Sequence, residues 1–382
     1  MTTAVATPES KNAPRKLATI DCDVHPHFVH GINDLVPYMT EAWRRRMSGG
    51  HQTDNWAKEL PASQFSIPKN VLYINSAGVM RRDTAAPGMI PSSDPDFVAR
   101  QLLDEHAIDR AILVGGHALG LGALPDADLA AAIASAHNEW IGEVWLAADE
   151  RYRASLIVAP QDPAQAAAEI DRVGDRPAVV QVHLPLTNIL MGERHYYPIY
   201  ETAERHGLPI AIHPNGTDAI YAKGPTLAGG TPTYYIEWHT ALTQVFQANL
   251  LSILCHGVFE KFPGLKLVIA EGGFAWLVDV LWRLDRNWKF LRDEVPWVKR
   301  PPSEYVAEHV RFTTQPFVEP ERSEHLTAVL EIIQADRTLL FSSDYPHWDF
   351  DNPRRALAAI PQELQRRVMV ENAVELYGQR LR

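Results

Sequence analysis

Ala18-Thr19-Ile20-Asp21-Cys22-Asp23-Val24-His25 is the stretch whose reading decides the fold. It is a short, β-branched, apolar run that ends in acidic and imidazole side chains rather than in a glycine-rich turn. An open doubly wound sheet normally follows its first strand with a glycine-rich phosphate loop. Here the strand runs into Pro26-His27, which disfavours that alternative. Seven further runs of the same kind follow, at Arg110–Gly115, Ala154–Ala159, Ala178–Leu184, Pro209–His213, Lys266–Glu271, Val310–Thr314 and Thr338–Asp344. Near-continuous apolar runs fit strands buried on both faces, as in a parallel sheet covered by helices.

Helical patterns lie between the runs. Asp126–Ala148 is Ala-rich with an acidic start, and Asp162–Val173 opens with Asp-Pro, a capping residue followed by proline at the first helical position. Pro198–His206, Trp238–Phe262, Phe274–Arg292, Pro320–Ala335 and Pro361–Tyr377 read the same way. Strand alternating with helix eight times predicts one closed (β/α)8 TIM barrel over residues 17–382. The first 16 residues carry no apolar stretch and read as a disordered tail, not a secretion signal. Residues 26–95, rich in Pro, Gly, Ser and Asn, form a long insertion after strand one, expected to cover the active-site face as a lid.

Catalytic groups of such a barrel sit where strands end at the C-terminal face. Side chains alternate along a strand, so Asp23 and His25 point together into the mouth. Strand four ends in His183, strand five in His213 before Pro214, strand six in Glu271 before Gly272-Gly273, and strand eight in Asp344 before Tyr345-Pro346-His347. Three imidazoles and three carboxylates thus converge on one rim. Three unpaired carboxylates in one cavity are costly, and one or two divalent cations (Zn, Mn or Fe) resolve that cost. Asp23, His25, His183, His213, Glu271 and Asp344 are therefore the candidate ligands.

The markers Ile20-Asp21-Cys22-Asp23-Val24-His25, Ile212-His213-Pro214, Val258-Phe259-Glu260-Lys261-Phe262-Pro263-Gly264-Leu265-Lys266 and Ser343-Asp344-Tyr345-Pro346-His347 give the chain, from about Leu17 onward, a close resemblance to a known family. It resembles the amidohydrolase superfamily, in the amidohydrolase-related branch that includes aminocarboxymuconate semialdehyde and resorcylate decarboxylases. The resemblance maps the family's metal ligands onto Asp23, His25, His213 and Asp344. Asp23 replaces the first of two usual histidines. Glu271 replaces the His that usually precedes the double glycine and assists catalysis or binds a second metal. A carboxylate there can bridge two cations, and His183 stands where binuclear relatives place a bridging carboxylated lysine, so the reading leans toward two ions.

The resemblance implies metal-dependent hydrolysis or non-oxidative decarboxylation of a small carboxylated or cyclic compound. Asp344 would be both ligand and proton carrier, Glu271 a base or a bridge, and His239, at the start of a helix, a group facing substrate. The alternative is a non-heme di-iron monooxygenase on the same barrel, favoured by the carboxylate at position 271. Loop aromatics Trp56, Phe65, Tyr73, Tyr221, Tyr234 and Tyr235 suggest an apolar or ring-containing substrate. His347 reads as a brace for the metal Asp or its loop, His27 as a mouth or lid residue, and His256 as a packed helical histidine. The four tryptophans Trp276, Trp282, Trp288 and Trp297 have the spacing of a helix packing on the barrel or on a neighbouring subunit.

Net charge of −11, spread along the 382 residues, argues against a nucleic-acid surface. No run approaches the roughly 18 apolar residues of a membrane span. Two lone cysteines, Cys22 and Cys255, do not make a disulfide framework, which makes the cytoplasm the expected compartment. A small-molecule substrate and a homodimer complete the expectations.

Overall fold

In the computed structural model, residues 18–47, 80–214, 228, 230 and 233–382 are described. The 1–16 tail and residues 48–79 of the lid expected over 26–95 lie outside them. All eight runs are strands: β1 Ile20–Val24, β2 Arg110–Leu113, β3 Tyr152–Ile157, β4 Val179–His183, β5 Ile210–Ile212, β6 Leu267–Ile269, β7 Val310–Thr313 and β8 Leu339–Leu340. They pair in sequence order, every pair parallel. β8 and the chain beyond it return to β1: Cys22 N–H donates to Phe341 O at 3.0 Å, and Asp344 N–H donates to Asp23 O at 3.2 Å. The sheet is thus closed into a barrel, as the alternation of elements predicts.

Helices cover the outside through a large core that includes Trp145, Tyr152, Tyr200, Phe246 and Phe312, each fully buried. The capping residues act as read: Asp162 accepts from the backbone N–H groups of Ala164 and Gln165, and Asp126 from Leu129. One long helix is corrected. Trp238–Phe262 divides into Tyr235–Thr240, Thr243–Cys255 and Val258–Lys261. Gly257 makes the second break with a left-handed φ of 65°, and a Cβ there would meet the Trp297 ring at 2.4 Å. Apolar periodicity runs across both breaks, so the pattern alone hides them. The division also moves His256 to a helix end, where it is partly exposed 3.9 Å from Glu193, not packed in a helix core.

A second cluster closes the opposite end of the barrel. Ile20, Cys22, Ile112, Val180, Val268 and Leu340 pack against Val370, Ala373, Tyr377 and Leu381 of the C-terminal segment. Tyr377 Oη donates to Gln181 Oε1 at 2.7 Å, and Gln181 Nε2 to Ser155 Oγ at 2.8 Å. Buried Arg153 donates to the carbonyls of Arg380, Leu381 and Arg382. With that floor sealed, the strand C-termini form the only barrel end open to chemistry among the described residues.

Candidate metal centre

The first two candidate ligands follow from strand alternation. Asp23 and His25 leave β1 on the same side, and both are completely buried. His25 Nδ1 lies 2.9 Å from Val114 O, which fixes the ring and turns Nε2 toward Asp344 Oδ1, also at 2.9 Å. His213, just past β5, is fixed by its Nδ1 contact with Pro214 O at 2.6 Å. Its Nε2 lies 3.3 Å from Asp23 Oδ2 and 3.1 Å from Glu271 Oε2. A backbone contact on the far ring nitrogen is how ligating imidazoles are usually oriented.

Glu271 and Asp344 are placed differently. Both have left-handed backbones, with φ of 50° and 58°, a conformation costing a non-glycine residue of order 1 kcal/mol or more. The turn re-aims each carboxylate into the mouth immediately after its strand. After Glu271 the turn requires a glycine, because a Cβ on Gly272 would meet Ile269 Cγ2 at 2.5 Å.

Asp23, His25, His213 and Asp344 each offer one ligand atom, all within 4.8 Å of one another. The donor set fits a divalent cation. Both oxygens of Asp23, Asp344 Oδ2 and His213 Nε2 are buried without a hydrogen-bond partner, and buried polar atoms are rarely left so. Burial works to raise Asp23, yet the charges of His213 and His25 outweigh it and hold the carboxyl below its usual range. Asp344 is pushed well above the usual range by burial and then by Asp23, and Glu271 by burial and then by Asp344. Mixed imidazole and carboxylate donors suit Zn, Mn or Fe.

The other expected residues take other places. His183 is fully buried, both ring nitrogens unpartnered, its imidazole driven down to about 3 by burial and then by His213. It feels His213 and Asp23 but stands outside the four-residue group. Glu271 joins the group's edge through His213 alone. His347 braces Asp344, Nδ1 to Oδ1 at 2.5 Å. His27 ties the rim, with Nδ1 at 2.9 Å from Pro91 O. His239 lies at the mouth, 3.3 Å from Asp349. Trp56, Phe65, Tyr73 and Tyr221 fall outside the described residues. Asp349 and its partner Gln315 were not anticipated, although Gln315 follows β7 on the same face as Thr313, a strand end that could have been read like the others.

A family model described as amidohydrolase matches residues 20–379. The chain belongs to the amidohydrolase family. This amidohydrolase is 28% identical over 288 residues to the gamma-resorcylate decarboxylase of Polaromonas sp. JS666, an overlap covering 69% of this chain and 84% of the relative. An amidohydrolase structure from Mycobacterium avium subsp. paratuberculosis shares the fold at a TM-score of 0.68 and 21% identity, over 95% of this chain and 98% of that one. A dihydroxybenzoic acid decarboxylase from Polaromonas sp. JS666, solved with manganese and 2-nitroresorcinol, matches at 0.61 and 21%, over 95% and 97%. This amidohydrolase is a metal-dependent enzyme of the hydrolase or decarboxylase kind. No helix among its described residues is long and apolar enough to cross a membrane.

Proposed function

We propose that this amidohydrolase removes carbon dioxide, without oxidation, from a small aromatic carboxylate. Asp23, His25, His213 and Asp344 would hold one divalent cation. The observation carrying the reading is the set of four buried ligands within 4.8 Å, with unpaired oxygens and a bare imidazole nitrogen facing one another. The relatives act on ring carboxylates, and the resorcylate decarboxylase is similar over most of its own length. The di-iron oxygenase reading draws no support from them.

When bound, a divalent cation supplies a Lewis acid that grips substrate oxygens and stabilises the charge developing on them. The chain's own residues do the rest. His25 and His347 both contact Asp344 Oδ1, so this carboxylate cannot swing away while its other oxygen faces the mouth. Glu271, beside His213 but outside the four-residue group, orients the ring's oxygen substituents. Tyr235 and Trp348 wall the mouth, joined by a 3.2 Å hydrogen bond from Trp348 Nε1 to Tyr235 Oη, and flat side chains of this kind suit a planar ring. We also propose a cytoplasmic homodimer. Trp282 and Phe290 stand 63% and 78% exposed, with Leu291 and Trp297 about half exposed, which is the face a second copy would cover.

The test is elemental analysis of protein purified anaerobically without added metal, followed by a carbon dioxide release assay with 2,6-dihydroxybenzoate and related hydroxybenzoates. One zinc or manganese per chain with metal-dependent release is expected. Two irons per chain with oxygen consumption would overturn the reading in favour of the oxygenase.

A further inference from the structure

Beyond the metal set, the mouth holds a second carboxylate–imidazole pair. His239 Nε2 lies 3.3 Å from Asp349 Oδ2, each side chain 15% exposed. Asp349 is fixed from the barrel side: Gln315, completely buried, donates from Nε2 to the same oxygen at 2.9 Å. Gln315 is fixed in turn, its backbone N–H donating to Ser342 Oγ at 3.1 Å. The His239 ring is held by aromatics as well. Tyr235 stacks on it at 5.4 Å and 26°, and Trp348 lies against it at 5.6 Å.

The pair also shares neighbours with the metal set. Tyr235, stacked on His239, feels the charges of Glu271, Asp349 and Asp344, and His347 feels His239. Asp349 and Asp344 leave the same loop five residues apart. That loop is tied down where Asp351 N–H donates to Ser343 O at 3.0 Å and Asp351 Oδ2 accepts from Phe317 N–H at 3.2 Å. An imidazole with an orienting carboxylate, itself oriented by a third group, is the arrangement of a positioned acid or base.

We propose that His239 is the general acid of the reaction, with Asp349 and Gln315 as its positioning residues. This rests on the decarboxylase reading above. In the step, the bond between the ring carbon and the carboxylate carbon breaks and carbon dioxide leaves. The electron pair stays on the ring carbon and takes a proton from His239 Nδ1, the ring nitrogen left for substrate because Asp349 holds Nε2. The neutral imidazole then recovers a proton from solvent, which its partial exposure permits, while Asp349 balances the imidazolium charge. Asp344 is a poorer donor to carbon because it is fully buried, is assigned to the cation and has Oδ1 held by His347. Glu271 is drawn toward His213.

The experiment uses metal-loaded enzyme and 2,6-dihydroxybenzoate, together with deuterium uptake at the ring carbons of 1,3-dihydroxybenzene in D2O, read by NMR. His239→Ala should lower kcat by about 10²- to 10³-fold, with KM and metal content little changed. It should lose ring deuteration in parallel and recover part of both with added imidazole. Asp349→Asn should lower kcat about tenfold, roughly the share of an orienting group, and Asp349→Glu should restore part of it. In metal-free protein, Asp349→Asn should displace the His239 imidazole 15N resonances. A His239→Ala effect confined to KM, or unchanged deuteration, overturns this proposal alone. Resonances that do not move overturn the positioning by Asp349. Wild type that neither releases carbon dioxide nor deuterates the ring overturns the decarboxylase reading and this proposal with it.

Discussion

Replacing Asp23 by Asn tests the metal centre most directly, because the change keeps the side chain's shape and removes one charge. Asp23 is fully buried, its oxygens without hydrogen bonds, and its nearest imidazole nitrogens are His213 Nε2 at 3.3 Å and His25 Nε2 at 3.4 Å. At an effective dielectric of about 20, two unit charges 4 Å apart interact by about 4 kcal/mol, so a carboxylate facing a divalent cation stands to gain about twice that before desolvation. If only half survives, Asn weakens binding by about 10³-fold. Free metal at about a hundred times the wild-type Kd stabilises wild type by about 2.7 kcal/mol. For a chain this long that is roughly 3 °C in Tm, at about 1.2 °C per kcal/mol. The same metal should stabilise Asp23→Asn by almost nothing. With EDTA the two proteins should melt within about 2 °C of each other, since the substitution also relieves repulsion: Asp23 is among the charges that raise Asp344 and Glu271. The assay is circular dichroism melting at a fixed scan rate, with manganese and with EDTA, beside elemental analysis. A variant with the full wild-type metal shift would show that Asp23 is not a ligand. A large loss of Tm in EDTA would make its role structural.

Two further predictions concern stability away from the metal. His137 is buried with both ring nitrogens unpartnered, against Phe28 and Trp140, and burial drives it down to about 4. Unfolded, it titrates near 6.5, so between pH 6.5 and 4 only the unfolded chain binds the proton and stability falls as pH falls. The loss at pH 5 is about 2 kcal/mol, and denaturant unfolding at pH 7.5 and pH 5 should show His137→Leu escaping it; an equal pH response in both proteins refutes the assignment. Arg153→Met should leave the carbonyls of Arg380, Leu381 and Arg382 without their buried donor and cost about 3 kcal/mol. Hydrogen exchange should then rise at the C-terminal segment with metal content unchanged, and a melting point within a degree of wild type would contradict this.

The barrel was legible because each strand is buried on both faces and so writes an unbroken apolar run. Asp23 and His25 were legible because a straight strand alternates. What hid from the sequence depends on chain geometry that composition does not encode. The breaks around Thr240 and Gly257 fall inside one apolar pattern, and at Gly257 the close packing of Trp297 is visible only in three dimensions. Glu271 and Asp344 were found by position, but the left-handed turns that aim them left only the double glycine after Glu271 as a trace. The pairing of His239 with Asp349 joins residues 110 apart, and nothing local to either announces the other. His183 is the converse case: its strand end was legible, and it stands fully buried close to the four-residue group without being one of the four.

Charge counting ties these placements together. Asp23 and Asp344 neutralise one divalent cation between them. Glu271 as a third carboxylate, and a carboxylate substrate as a fourth, would leave the mouth two charges negative among buried groups, which is expensive in a low dielectric. The mouth must therefore hold protons. Burial favours one on Glu271, whose carboxyl is pushed well above its usual range. His239 and Asp349 at the solvent edge form a pair that adds no net charge when the imidazole holds a proton for delivery. A histidine in place of Glu271 would remove one of those two negative charges with a neutral ring and without a stored proton. The carboxylate at this position and the imidazole pair at the rim are, on this count, two halves of one arrangement for delivering a proton to a substrate that loses an anionic group.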